Sequence, residues 1–184
     1  MTGNVWYSGR MRAIFLDRDG TLNAGIPKYE RVDSIDKVEL LPHTLDGLGQ
    51  LASLDYMCFL VTNQAGLAEG LITREEFNTI NGEILRQIEP SGIQIIETFV
   101  CPHGELAQCV CRKPKPQLLL DAALKYGIDL EQSWMIGDRL TDIMTGVNAG
   151  TRTILVQTGS ITEAAEATYV AADLLDAARY IAQQ

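Results

Sequence analysis

The sequence predicts an α/β fold, a three-layer, Rossmann-like, doubly wound parallel sheet in a single domain over residues 1–184 with no cap. Three observations predict it. Short apolar runs alternate with stretches of helical period, the pattern of parallel strands joined by right-handed crossovers. Each run stops at polar or acidic residues, as strands do when their carboxyl ends form a ligand crevice. The roughly 45 residues between Asp17 and Thr62, and roughly 50 between Thr62 and Lys113, are used up by ordinary connections, which leaves no room for a lid domain.

The elements follow in order. Trp6 and Tyr7 interrupt a polar opening and either cover a core edge or belong to a terminal arm. Residues 13–16 are a short buried strand that stops at Asp17 and Asp19, with Gly20 and Thr21 turning the chain. Residues 23–41 have no clean period and read as a long loop over the strand ends. A helix is expected from Pro42 to about Leu54, with Leu45, Leu48, Leu51 and Leu54 on one face. Residues 56–61 form a second strand, with Cys58 in its core, that ends at Thr62-Asn63-Gln64.

Residues 65–71 turn at Gly66 and Gly70, and Thr73-Arg74-Glu75-Glu76 has capping-box spacing for a helix to about Ile88. Ile80, Ile84 and Ile88 are its buried stripe. Residues 93–100, rich in β-branched side chains, make a third strand that delivers the chain to Cys101. Pro116 starts a helix that Gly127 ends. Residues 134–136 form a fourth strand running into Gly137-Asp138-Arg139, with a helix through Asp142, Ile143 and Val147 to Gly150. Residues 153–156 are a fifth strand, and a weak strand near Tyr169 and a helix from Asp173 complete the order.

A net charge of -9 and a pI near 4.7 argue against nucleic-acid or anionic-membrane partners, because both would repel the protein. No apolar run approaches a membrane span and residues 1–12 hold no signal-like core, so the expectation is a soluble, cytoplasmic monomer. A phosphorylated substrate would then require locally placed cations.

The strand ends supply such a mixture. Asp17 and Asp138 suit Mg²⁺, which takes oxygen ligands and keeps waters for a substrate phosphate, and the repulsion between Asp17 and Asp19 points to a bound divalent cation or a proton held on one of them. Lys113 and the Thr62 hydroxyl can hold the other phosphate oxygens. Asp17, at the strand terminus, is the candidate nucleophile, with Asp19 to protonate the leaving oxygen and then accept a proton from water. Cys101, His103, Cys109 and Cys111 offer three sulfurs and one nitrogen within eleven residues, the donor set of a closed structural Zn²⁺ site directly before Arg112 and Lys113.

Asp17-Arg18-Asp19-Gly20-Thr21, Thr62-Asn63-Gln64, Arg112-Lys113-Pro114 and Gly137-Asp138-Arg139-Leu140-Thr141-Asp142 resemble the four signature motifs of the haloacid dehalogenase superfamily of phosphatases. The cysteine loop at 101–111 and the missing cap resemble the branch that holds heptose bisphosphate phosphatases and the histidinol-phosphatase domain. The resemblance implies a Mg²⁺-dependent phosphomonoesterase with an aspartyl-phosphate intermediate on Asp17, and Mg²⁺ held by Asp17, Asp19 and Asp138. It implies a small-molecule phosphomonoester as substrate, with a sugar phosphate favoured. The runs Thr62-Asn63-Gln64-Ala65-Gly66-Leu67-Ala68 and Thr158-Gly159-Ser160-Ile161-Thr162 favour heptose 1,7-bisphosphate, cut to the 1-phosphate, whereas the run around Asp138 is nearer the histidinol-phosphatase pattern. A bisphosphate brings a second dianion, for which Arg112, Lys28 and Arg139 are expected contacts, with Arg18, Asn63 and Gln64 also on the substrate. A non-enzymatic phospho-receiver is the remoter alternative, against which the second carboxylate, Asp19, argues.

Overall fold

The computed structural model describes residues 11–25 and 31–184, so the expectations for Trp6, Tyr7 and Lys28 lie outside the described residues. Six strands, β1 (Ala13–Leu16), β2 (Met57–Asn63), β3 (Ile95–Cys101), β4 (Trp134–Gly137), β5 (Arg152–Val156) and β6 (Tyr169–Ala171), form one sheet in the order β3-β2-β1-β4-β5-β6. Every pairing is parallel. The helices are α1 (Thr44–Ala52), α2 (Arg74–Ile88), α3 (Gln117–Tyr126), α4 (Leu140–Ala149) and α5 (Leu174–Ile181).

The strand runs are continuously apolar because both faces of the sheet are covered. Ile14 and Leu16 pack with Leu48 and Leu51 of α1 and Leu174 and Ile181 of α5, while Ala13 and Phe15 pack with Leu118, Leu119 and Ala122 of α3. Ile88 brings α2 to the first face. On the second, Gly146 lets α4 press on the sheet, since a Cβ there would stand 2.4 Å from Thr153 Cγ2 and 2.8 Å from Met135 Cβ. Between Asn63 and Lys113 the chain builds α2, β3 and the cysteine loop, and no separate cap occurs among the described residues. Among them, too, no helix is long and apolar enough to cross a membrane.

Local signals hold where they rest on hydrogen bonds. Thr73 Oγ1 accepts from Glu76 N at 3.1 Å and Thr73 N donates to Glu76 Oε2 at 2.7 Å, the reciprocal pair expected from the sequence. Asp173 Oδ1 accepts from Asp176 N at 2.9 Å and starts α5. The first helix departs from expectation. It begins at Thr44, because His43 takes a left-handed φ of 62°. Its buried stripe is Thr44, Gly47, Leu48 and Leu51, which leaves Leu45 40% exposed. Gly47 sets this phase: a Cβ there would meet the Leu174 carbonyl carbon at 2.8 Å, so α5 sits against that position.

The order of the strands decides where the functional residues emerge. β1 neighbours both β2 and β4, and Asp17 N donates to Ile136 O at 2.9 Å, so the carboxyl ends of β1 and β4 open side by side where the winding reverses. β2 and β3 run further than their apolar residues, pairing Thr62 with Val100 and Asn63 with Cys101. Ladder hydrogen bonds thereby fix the polar strand ends. The long loop is tied down by Asn23, fully buried, whose Nδ2 donates to Ala24 O at 2.8 Å and whose Oδ1 accepts from Glu39 N at 2.7 Å.

Candidate active site

A cavity of about 290 Å³ opens at these strand ends, with Asp17, Asp19, Thr62, Gln64, Lys113 and Arg139 in its wall. The residues expected from the sequence to do chemistry thus come from four separate segments and meet at one place. Asp17 ends β1, Thr62 belongs to β2, Lys113 follows the cysteine loop, and Asp138 follows β4.

Three carboxylates, Asp17, Asp138 and Asp142, offer oxygens within 4.8 Å of one another, and all three are buried. Lys113 Nζ sits among them, 2.5 Å from Asp17 Oδ1 and 2.6 Å from Asp142 Oδ1, and also donates to Val61 O at 2.9 Å. One ammonium does not balance three acids. Burial pushes Asp17 up to about 6 even against the attraction of Lys113, with Asp142 and Asp19 adding to the rise. Burial, then repulsion from Asp17 and Asp142, pushes Asp138 up to about 8. Burial alone would lower Lys113, but Asp142 and Asp17 outweigh it and raise the lysine above its ordinary range.

Asp138 Oδ1 is buried with no hydrogen-bond partner, and the cluster as a whole carries excess negative charge. Two glycines crowd the same side chain: a Cβ on Gly20 would lie 2.3 Å, and one on Gly159 2.1 Å, from Asp138 Oδ2. An orphaned carboxylate oxygen beside two other acids fits a hard divalent cation with mostly oxygen ligands. Asp142, at the third position of α4, also accepts from Arg139 N at 3.1 Å, so the helix cap and the acid cluster share one side chain.

Asp19, expected among the metal ligands, has its side chain engaged elsewhere. Its carboxylate lies outside the group of three and accepts instead from Arg18 Nε at 2.9 Å, Arg18 Nη2 at 2.6 Å and Gln64 Nε2 at 2.9 Å. Gln64 Nε2 also donates to Thr62 Oγ1 at 2.9 Å. Arg18, expected on the substrate, is completely buried and is not in the cavity wall, because its guanidinium turns inward to Asp19 and over the Phe77 ring. Asn63 lines the cavity but also brackets the backbone of Lys113, accepting from Lys113 N at 3.1 Å and donating to Lys113 O at 3.3 Å.

In the loop after β3, Cys101 Sγ lies 3.6 Å from His103 Nδ1, 3.8 Å from Cys109 Sγ and 3.1 Å from Cys111 Sγ, and His103 Nδ1 lies 3.3 Å from Cys111 Sγ. A tetrahedral Zn²⁺ with sulfur at about 2.3 Å separates its ligands by about 3.8 Å, so the four atoms fit one zinc with small adjustments. Arg112 is bound into this loop: its Nη1 donates to His103 O at 3.0 Å and its Nη2 reaches Glu105 at 3.4 Å. It also lines the cavity, as does Arg139, whose Nε is 3.9 Å from Asp138 Oδ2.

Residues 110–177 match the HAD-hydrolase-like family model. The chain is 37% identical over 180 residues to D-glycero-beta-D-manno-heptose-1,7-bisphosphate 7-phosphatase of Pasteurella multocida, covering 92% of this chain and 96% of that one. The enzyme of the same description from Escherichia coli K12 is 35% identical over 184 residues, covering 94% of each. The crystal structure of D,D-heptose 1,7-bisphosphate phosphatase from B. bronchiseptica, complexed with magnesium and phosphate, aligns with a TM-score of 0.85 at 34% identity over 94% of this chain and 99% of that chain. The chain belongs to the heptose bisphosphate phosphatase family of haloacid dehalogenase-like hydrolases.

It is therefore a phosphatase, and the resemblance read from its motifs is correct. Sequence reasoning places Asp142 with Asp138 in the group at the strand ends but gives it no separate chemical task, and its place at the third helical position was the available signal. It also missed Arg31, which lines the cavity while pairing with Glu69 at 3.0 Å. Nothing in the aperiodic stretch around Arg31 marks it out.

Proposed function

We propose that this phosphatase hydrolyses D-glycero-D-manno-heptose 1,7-bisphosphate to the 1-phosphate through an aspartyl-phosphate on Asp17. The observation that carries the reaction is the placement of Asp17 at the cavity, pinned through Oδ1 by Lys113 and adjoining Asp138 and Asp142. The substrate is supported by 35–37% identity to heptose bisphosphate phosphatases over nearly the whole chain.

Asp17, Asp19 and Asp138, with the Asp142 carboxylate within reach, would hold Mg²⁺, which would neutralise the phosphate oxygens and the acids themselves. An Asp17 carboxylate oxygen attacks phosphorus as the phosphorus–oxygen ester bond breaks, and the Asp19 proton passes to the leaving C7 oxygen. Asp19 then takes a proton from water as the water oxygen attacks phosphorus, and the Asp17–phosphorus bond breaks to release inorganic phosphate. Lys113 keeps Asp17 oriented through both halves and faces the transferring oxygens together with Thr62. Arg112 and Arg139, two of the described cations in the cavity wall beside Arg31, are placed to take the second phosphate, a task the reading shares with Lys28. The same reading carries one domain, a cytoplasmic monomer, and no nucleic-acid or membrane partner.

The test is phosphate release from both anomers of heptose 1,7-bisphosphate, with histidinol phosphate in parallel, with and without Mg²⁺. Mg²⁺-dependent release at C7 that vanishes in Asp17→Asn supports the reading. Equal weak activity on all substrates overturns the substrate, and release by Asp17→Asn overturns the intermediate.

A further inference from the structure

Arg18 is among the largest side chains in the molecule with no exposure at all. Burying a guanidinium is costly unless its charge is met by a partner. Here both strong contacts go to one carboxylate, Nε to Asp19 Oδ1 at 2.9 Å and Nη2 to Asp19 Oδ2 at 2.6 Å, a bidentate fork. The far nitrogen, Nη1, has no hydrogen-bond partner, and the Phe77 ring lies 5.4 Å from the guanidinium carbon. The arginine therefore serves Asp19 and is closed off from the cavity, whereas Asp19 itself lines the cavity and its side chain is 22% exposed.

A carboxylate offers about four lone-pair sites, two on each oxygen. On Asp19, Arg18 takes one on each oxygen, and Gln64 Nε2, at 2.9 Å, takes the second on Oδ2. Among the described residues nothing takes the fourth, on Oδ1. Gln64 is itself fixed, since the same nitrogen donates to Thr62 Oγ1 at 2.9 Å. The Arg18 backbone is fixed too, its carbonyl accepting from Leu22 N and Asn23 N at 3.0 Å each.

We infer that Arg18 is a positioning residue: with Gln64 it clamps Asp19 so that, among its contacts with the described residues, Oδ1 keeps a lone pair open to a leaving oxygen or a water in the cavity. This rests on the reading of Asp19 as the proton donor and acceptor. A loosened Asp19 still bears a carboxyl group but presents it in several orientations, so proton delivery to the leaving oxygen falls. Attack by Asp17, held separately by Lys113, is left in place.

The clamp predicts a loss that depends on the leaving group. In Arg18→Met, which keeps volume beside Phe77, kcat/KM for the C7 ester of heptose 1,7-bisphosphate falls about 100-fold, on the scale of general acid catalysis. For p-nitrophenyl phosphate, whose phenolate leaves with little help from a proton, it falls less than about tenfold. Arg18→Lys lies between, and Gln64→Leu shifts both substrates in the same sense as Arg18→Met by a smaller factor. Equal losses on the two esters in Arg18→Met, or none, overturn the inference when Asp19→Asn still discriminates between them. Equal losses in Asp19→Asn overturn the proton-donor reading itself and the clamp with it. Should Arg18→Met not fold, Arg18→Lys and Gln64→Leu decide by the same ratio, and a ratio unchanged from wild type in both counts against the clamp.

Discussion

Lys113 Nζ stands 2.5 Å from Asp17 Oδ1 and 2.6 Å from Asp142 Oδ1, a single buried ammonium between the acid that ends β1 and the acid that caps α4. On the proposed mechanism it links catalysis to stability, because the charge that orients Asp17 also offsets part of the repulsion among the three acids.

Lys113→Ala therefore removes activity and destabilises the metal-free protein together. Breaking a buried pair by deleting one partner costs about 3–5 kcal/mol. Phosphate release should fall at least about 100-fold, and thermal melting without metal should drop by several degrees, with Mg²⁺ recovering much of the melting loss and none of the activity.

The metal-free protein should lose stability as pH rises from 4 to 8. Burial, reinforced by Asp17 and Asp142, keeps the Asp138 proton on up to about 8 in the folded state, against 3.8 for a free aspartate. A raised folded value means that the stabilisation is complete below the unfolded value and is lost as pH climbs through the folded one. Asp17, raised to about 6, adds in the same direction. Melting scans at pH 5 and pH 8 check this: the pH 8 midpoint lies lower without metal, and Mg²⁺ or Asp138→Asn narrows the gap.

Gly159→Ala should impair the site with little effect on the fold. Its Cβ would fall 2.1 Å from Asp138 Oδ2, so the carboxylate must move. Phosphate release drops about tenfold or more and the Mg²⁺ concentration for half activity rises. Gly82, exposed in α2 with nothing within 4 Å of a Cβ, is the control: Gly82→Ala raises stability by up to about 1 kcal/mol through helix propensity and leaves activity alone.

Complete zinc chelation should lower melting temperature and activity in parallel. Cys101 belongs to the core beneath α3, and Arg112, the residue directly before Lys113, is held by His103 O. Releasing the loop frees the segment that positions Lys113. Cys111→Ser should reproduce the effect without chelator, and unchanged melting in both would remove zinc from the account.

The order of elements was legible in the sequence because it depends on local chemistry: apolar runs bounded by polar turns, the Thr73 capping box, the Gly127 helix end. So was the grouping of Asp17, Thr62, Lys113 and Asp138, and of Cys101, His103, Cys109 and Cys111 as candidate metal donors, each of which stands at a strand end or in a compact cluster. What the tertiary structure alone decided is which way side chains point and whom they meet. Arg18 follows Asp17 directly, yet it turns inward, since β1 ends against a covered face where Phe77 and Asp19 receive it. Asp142 joins Lys113 only because β4 lies beside β1 and brings the start of α4 over the β1 end. Arg31 reaches the cavity through the path of a loop with no period. Pattern fixes the elements, since it expresses the solvent preference of each residue. Partners across 50 or 100 residues follow from sheet order, which no local pattern encodes.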